Sequence, residues 1–171
     1  SQPAVSMQIR KLEQAAGCSL RGREMPGTVA PAAGLLGWMG LERLVSGKPS
    51  MLGGASGAVA GLVAVTPAAG ASGPIGAMLL GLAASSVCYG FVGSLKNRLR
   101  LDDSLDVFGI HGLGGTTGSI GTAIVALPAL GGHGGAAYAL GHQLVAQVAA
   151  VALAIGWSAA GSALCFGIVT L

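Results

Sequence analysis

Asp106-Val107-Phe108-Gly109-Ile110-His111-Gly112-Leu113-Gly114-Gly115 is the stretch that decides how this chain folds. A histidine sits in an apolar, glycine-rich helical pattern, just past a small charged cluster. From Val107 to Leu171 there is no Asp, Glu, Lys or Arg. His111 is therefore one of few groups in that stretch able to handle a proton or a cation. An ionisable side chain inside an apolar span is costly to bury and marks a functional site by default. The other reading of His111 is a neutral imidazole, hydrogen-bonded across helices for packing.

The rest of the composition agrees with a membrane chain. Of 171 residues, 52% are hydrophobic and only 9% charged, against about 25% charged in a soluble domain; mean hydropathy is +0.72. The 31 glycines and the low aromatic content, 4%, fit helices that approach closely in lipid. Charge is segregated. Residues 51–95 carry none, six of the nine basic residues lie in the first 48 positions, and the rest are Lys96, Arg98 and Arg100. The net charge of +3 thus marks ends and loops, not a nucleic-acid surface. Cys18, Cys88 and Cys165 are odd in number and contain no C-x-x-C, so neither a zinc site nor a disulfide framework is expected. No nucleophile–base pattern, phosphate loop or metal spacing occurs. Neither enzyme activity, cofactor nor metal is expected. The sequence starts at Ser1 without methionine or a signal-peptide pattern, as if cut from something longer.

Taken in order, residues 1–34 read as a soluble piece. Pro3 suits a first helical turn, Val5, Ile9, Leu12 and Ala16 make one apolar face, and Gly17 is a C-cap, so a helix of about fifteen residues is expected before a basic loop. Residues 35–171 read as a membrane domain. Gly34 to Val45 is too short to span and reads as the tail of a longer span. Ser50 to Val65 is a short run with a small-residue face, ended by Thr66-Pro67. Gly73 to Leu95 is a full span, since its length at 1.5 Å per residue exceeds a bilayer core of about 30 Å. The next helix runs from a cap at Asp103 or Ser104 to about Leu127, with Asp106 in its first turn, where the helix dipole favours a carboxylate. A neutral loop, Gly131 to Gly141, holds His133, read as solvent-exposed. His142 opens the last span, Gln143 to about Thr170, and is read as its anchor at the interface. The fold class is therefore all-α: a polytopic transmembrane helical bundle of about four spans plus a stub.

Arg43 and Lys48 flank the first connection and Lys96, Arg98 and Arg100 the third, whereas the second and fourth carry no charge. By the positive-inside rule the first and third connections are cytoplasmic, and so is the C-terminal end. A multi-pass protein of a bacterial inner membrane is expected.

Two stretches resemble known families. Ser1-Gln2-Pro3-Ala4-Val5-Ser6-Met7-Gln8-Ile9-Arg10-Lys11-Leu12-Glu13-Gln14-Ala15-Ala16-Gly17-Cys18-Ser19-Leu20 resembles the recognition helix of a LysR-type regulator's winged helix-turn-helix. The resemblance carries Ser1, Gln2, Pro3, Ser6 and Arg10 over as DNA-contacting residues and gives the alternative function, a membrane-tethered or truncated LysR-type DNA-binding regulator. The family's preceding helices are missing, which leaves Val5, Ile9 and Leu12 nothing to pack on. A surface-lying amphipathic helix is expected instead, and DNA is not an expected partner.

Residues from about 37 to 171 resemble the C-terminal portion of an ammonium transporter of the Amt/Mep/Rh family. The motifs are Gly47-Lys48-Pro49-Ser50, the run from Ser56 to Gly70, Asp102-Asp103 with Asp106-Val107-Phe108-Gly109-Ile110-His111-Gly112, and Gly141-His142-Gln143-Leu144. The resemblance implies a homotrimer, each subunit having its own hydrophobic pore between inverted repeats, with ammonium or ammonia as substrate and the lipid bilayer around it. A PII-type signalling protein is the implied regulatory partner. His111 matches the second of the family's paired pore histidines. Val107, four residues earlier on the same face, is expected to line the pore. Asp103 and Asp106 are expected to fix the helix entrance, and Gly112 and Gly115, with Gly114 and Gly118, to let neighbouring helices close around the pore. The earlier spans, with the partner histidine, are expected to be missing, and the chain reads as a fragment or truncated fusion with its seam between about Pro31 and Gly37, inactive alone.

Overall fold

The computed structural model describes residues 20–95, 98, 102–103, 106–135 and 138–170. The expected helix over residues 1–17 lies outside them, as do Ser1, Gln2, Pro3, Ser6, Arg10 and Ser104. Every regular element among the described residues is helical.

Helix α1, Leu20–Val45, is 26 residues long. It differs from the expectation of a short tail starting near residue 34. It runs through the supposed seam and carries Pro26 and Pro31 inside it. Proline removes a backbone donor and normally breaks a helix. In a packed membrane bundle neighbouring helices compensate for that loss, and Pro26 is fully buried.

Helix α2, Met51–Val65, begins at Ser50, whose hydroxyl oxygen accepts from the Gly53 N–H at 2.9 Å. The turn from α1 is tied at the same residue. Ser50 donates its N–H to one Glu42 carboxylate oxygen at 2.6 Å and its hydroxyl to the other at 2.9 Å. Arg43 donates to the Gly47 carbonyl, and Gly47 turns the chain at φ +75°. Helix α2 continues into a 3-10 turn, Thr66–Ala68. Helix α3, Pro74–Gly90, opens with proline at its first position, where a missing N–H costs nothing. It ends in a π-helical turn, Phe91–Leu95.

A second π-helical turn, Phe108–Leu113, leads into α4, Gly114–Val125. The single helix expected over 104–127 is thus divided. Helix α5, Leu140–Val169, is the longest, at 30 residues. Among the described residues three segments are long and apolar enough to cross a membrane: Met51–Ala68, Pro74–Gly93 and Leu140–Val169.

Helix α1 packs on α2 and α3, α4 lies against both α2 and α3, and α5 packs chiefly on α4. The α1–α2–α3 crossing is made by backbone. A Cβ added at Gly57 would strike the Gly34 carbonyl, and one at Gly61 or Gly81 the Ala30 carbonyl. At the α2–α4 crossing the same holds of Gly118 against the Ala64 carbonyl. Small residues therefore do what large apolar ones do in a water-soluble core, because lipid supplies little hydrophobic drive and close van der Waals packing must hold helices together.

The second and fourth connections meet. The His133 N–H donates to the Ala71 carbonyl at 2.9 Å, and Gly73 abuts Gly131. These two uncharged loops therefore share one end of the bundle, as alternating spans require.

Candidate functional site

The π-helical turn Phe108–Leu113 carries His111 outward and packs inward through Gly109 and Ile110. Its entrance is held by Asp103, whose carboxylate oxygens accept from the Phe108 N–H at 3.1 Å and the Gly109 N–H at 2.9 Å. Those N–H groups have no partner within the helix, and a carboxylate satisfies them while meeting the positive end of the helix dipole. Asp106 lies before the helix rather than in its first turn. It takes φ +54°, a left-handed conformation that Asp tolerates better than most residues, and its carbonyl accepts from the Ile110 N–H at 2.8 Å.

Behind the turn, Gly109 and Ile110 are buried. A Cβ at Gly109 would press on Phe91 and Val92. Ile110 joins Trp38, Ala60 and Cys88 in one core cluster, with Tyr89, Val92 and Leu113 around it. Trp38 and Tyr89 meet edge to face at 5.5 Å, and the Phe91 and Phe108 rings lie 5.7 Å apart. After the turn, the Thr116 hydroxyl donates to the Gly112 carbonyl at 2.7 Å.

Against this fixed frame His111 is exposed and its imidazole makes no hydrogen bond to the described residues. Val107 is exposed beside it. A π-helical turn is rare and is found frequently at functional sites. Gly112 lies under the Phe108 ring, whereas Gly114 and Gly115 face Val63 of α2 and Gly118 faces Ala64. The glycines after His111 thus serve mainly the α2–α4 crossing. His133 and His142 are exposed and belong to the fourth connection and the first turn of α5, away from the π-turn in sequence. Among the described residues no group of His, Cys, Asp or Glu is placed to hold a metal ion.

Sequence reasoning missed the π-turn and two residues that frame it, Phe108 and Thr116. The signal was present in Gly109 and Gly112, which flank the histidine at positions where a helix of ordinary pitch gains nothing from glycine.

Residues 12–171 match the model of the Ammonium Transporter Family. The match begins inside the stretch that resembles a LysR-type regulator, and the comparisons give that resemblance, and the alternative function built on it, no support. The chain is 49% identical over 82 residues to the ammonium transporter of Bacillus subtilis (strain 168), covering 48% of this chain and 20% of that protein. It is 43% identical over 132 residues to the ammonium transporter of Aquifex aeolicus (strain VF5), covering 77% of this chain and 31% of that protein. Among solved structures, Mep2 of Saccharomyces cerevisiae matches with a TM-score of 0.65 at 34% identity, over 77% of this chain and 32% of that one. The chain thus spans about a third or less of the length of these relatives. With the family model matched from residue 12 to residue 171 and its helices arranged like part of Mep2, this all-α membrane protein belongs to the Ammonium Transporter Family.

Proposed function

We propose that this chain supplies the His111 side of a pore that passes ammonium as ammonia and a relayed proton. The observation that carries the reading is the exposed imidazole of His111 on a turn locked by Asp103 and by the Trp38 cluster. Ammonium must shed its water to enter an apolar passage. A neutral imidazole offers it an acceptor for a hydrogen bond or a proton, and sodium and potassium, which have no proton to give, gain nothing there. Val107, on the same side of the turn, keeps water from competing at that position. The chemistry is transport and not catalysis of a covalent change.

Family membership supports the remaining assignments. The subunits assemble as a homotrimer in a bacterial inner membrane, with the first and third connections and the C-terminal end in the cytoplasm. A PII-type protein would dock on those cytoplasmic connections. The reading covers the His111 side of the pore alone, since the chain spans about a third or less of the length of its relatives.

The test is the ammonium-driven current of proteoliposomes holding the protein made from its complete reading frame. Wild type carries the current and sodium or potassium does not. Removing one charge-assisted hydrogen bond with His111→Ala lowers the current roughly 10- to 100-fold. No ammonium current from wild type, or full current from His111→Ala, would refute the reading.

A further inference from the structure

Two π-helical turns, Phe91–Leu95 and Phe108–Leu113, touch through their first residues. The element is rare, and here one of two in direct contact carries His111. The Phe91 and Phe108 ring centroids lie 5.7 Å apart with the rings tilted, an arrangement in which aromatic edges and faces attract. Phe91 is buried, whereas Phe108 is exposed, as His111 is.

The Phe91 ring also fills the place that a side chain would take on Gly109. A Cβ there would lie 3.0 Å from Phe91 Cδ1 and 3.0 Å from a methyl of Val92. On its other side the Gly109 N–H donates to Asp103 at 2.9 Å. The backbone is thus gripped from two directions, two residues before His111. Phe108 carries the grip past the histidine. Its ring lies against Gly112, where an added Cβ would come 3.2 Å from Phe108 Cδ2. Phe91, Phe108 and Gly112 therefore form one stack that reaches from the core to the residue just after His111.

We infer that Phe91 is a positioning residue for His111, acting through Phe108 and Gly109 to set where the imidazole stands toward the solute. The inference rests on the transport reading above. Being buried, Phe91 acts on the solute only through these neighbours. Position matters because a misplacement of about 1 Å can cost up to roughly 100-fold where groups must meet in one geometry. Methylammonium has a methyl group in place of one hydrogen, so it meets a displaced imidazole differently from ammonium. The ratio of the two currents therefore reads the pose of His111. That ratio does not depend on how much protein folds, so a loss of stability alone leaves it unchanged.

The protein made from its complete reading frame is reconstituted in proteoliposomes, and ammonium and methylammonium currents are measured for each variant. Phe91→Ala is expected to lower the ammonium-to-methylammonium ratio roughly 3- to 10-fold, a fraction of the full effect of a misplaced group. Phe91→Leu, which keeps apolar bulk and loses the flat ring, lowers it less and still carries the test where Phe91→Ala does not fold. Gly109→Ala, which drives a methyl into the ring, lowers it as well. In Phe91→Ala/Gly109→Ala the methyl finds the space the ring has left, so the combined effect falls short of the product of the single effects by about 3-fold or more, as for residues in contact. Leu80→Ala is the control, a buried apolar truncation in the separate cluster with Ala64, Ala68, Ala84 and Val125. It lowers stability and keeps the ratio. A wild-type ratio in the Phe91 variants would overturn the inference. So would effects of Phe91→Ala and Gly109→Ala that simply multiply, or a ratio changed as much by Leu80→Ala. A wild type that passes no ammonium would instead overturn the transport reading, and the inference with it.

Discussion

Asp106 is the residue on which the geometry of the His111 turn depends most. It holds φ +54° without being glycine, and its carbonyl starts the helix by accepting from Ile110. The left-handed conformation costs roughly 1–2 kcal/mol for an ordinary residue and more for a β-branched one. Asp106→Val is therefore expected to destabilise by about 2 kcal/mol or more, whereas Asp106→Asn loses less, since Asn shares the tolerance for this conformation. Unfolding in detergent measures the difference, and equal stability of the two variants would refute it. Asp103 acts one step away. Its two oxygens cap Phe108 and Gly109, so Asp103→Ala should cost about 1–2 kcal/mol, as loss of a charged N-cap does. It should also lower ammonium current by loosening the turn that aims His111. Loss of stability with an unchanged current would confine Asp103 to folding.

At the scale of the helix, small residues fix the crossings. The Gly57 backbone lies against Gly34 and the Trp38 side chain, and an added Cβ has no room there. Gly57→Leu must push α1 from α2, at a cost of about 1–3 kcal/mol or more, as overpacking does. Gly90, with nothing near its missing Cβ, should accept alanine without loss, and the comparison separates crowding from helix propensity. Ser50→Ala removes both the α2 cap and the hydroxyl donated to Glu42; a loss of about 1 kcal/mol is expected. These elements also show what the sequence could yield. The span Pro74–Gly90 and the long α5 were legible because apolar residues run uninterrupted between turn signals. Helix α1 was not, because Pro26, Pro31 and the charges before them resemble an interdomain loop, and only packing against α2 and α3 makes proline acceptable there. The division of 104–127 was hidden for another reason. A π-turn depends on which carbonyl each N–H selects, and spacing alone does not reveal that choice. His111 itself was legible, since a lone titratable group in a charge-free span stands out.

The whole molecule is asymmetric about the membrane. Charged groups lie at the first and third connections, and the uncharged second and fourth are joined through His133 and Ala71 and through Gly73 and Gly131. That contact requires both loops to be on one side, which an even number of crossings between them satisfies. By the positive-inside rule the charged ends are expected on the other, cytoplasmic side. Single cysteines in a background without Cys18, Cys88 and Cys165 test this arrangement in intact cells. Gly70→Cys and Gly135→Cys, neither of which crowds a neighbour, should react with an impermeant maleimide from outside. Lys48→Cys, in the exposed first connection, should react only after the membrane is opened. Outside labelling at residue 48 would invert the topology. Labelling of residue 70 without 135 would break the contact between the two loops. Outside labelling at 70 and 135 with silence at 48 would place the entrance of the π-turn, held by Asp103 just after the third connection, on the cytoplasmic side. His111 would then meet a solute on its way into the cytoplasm.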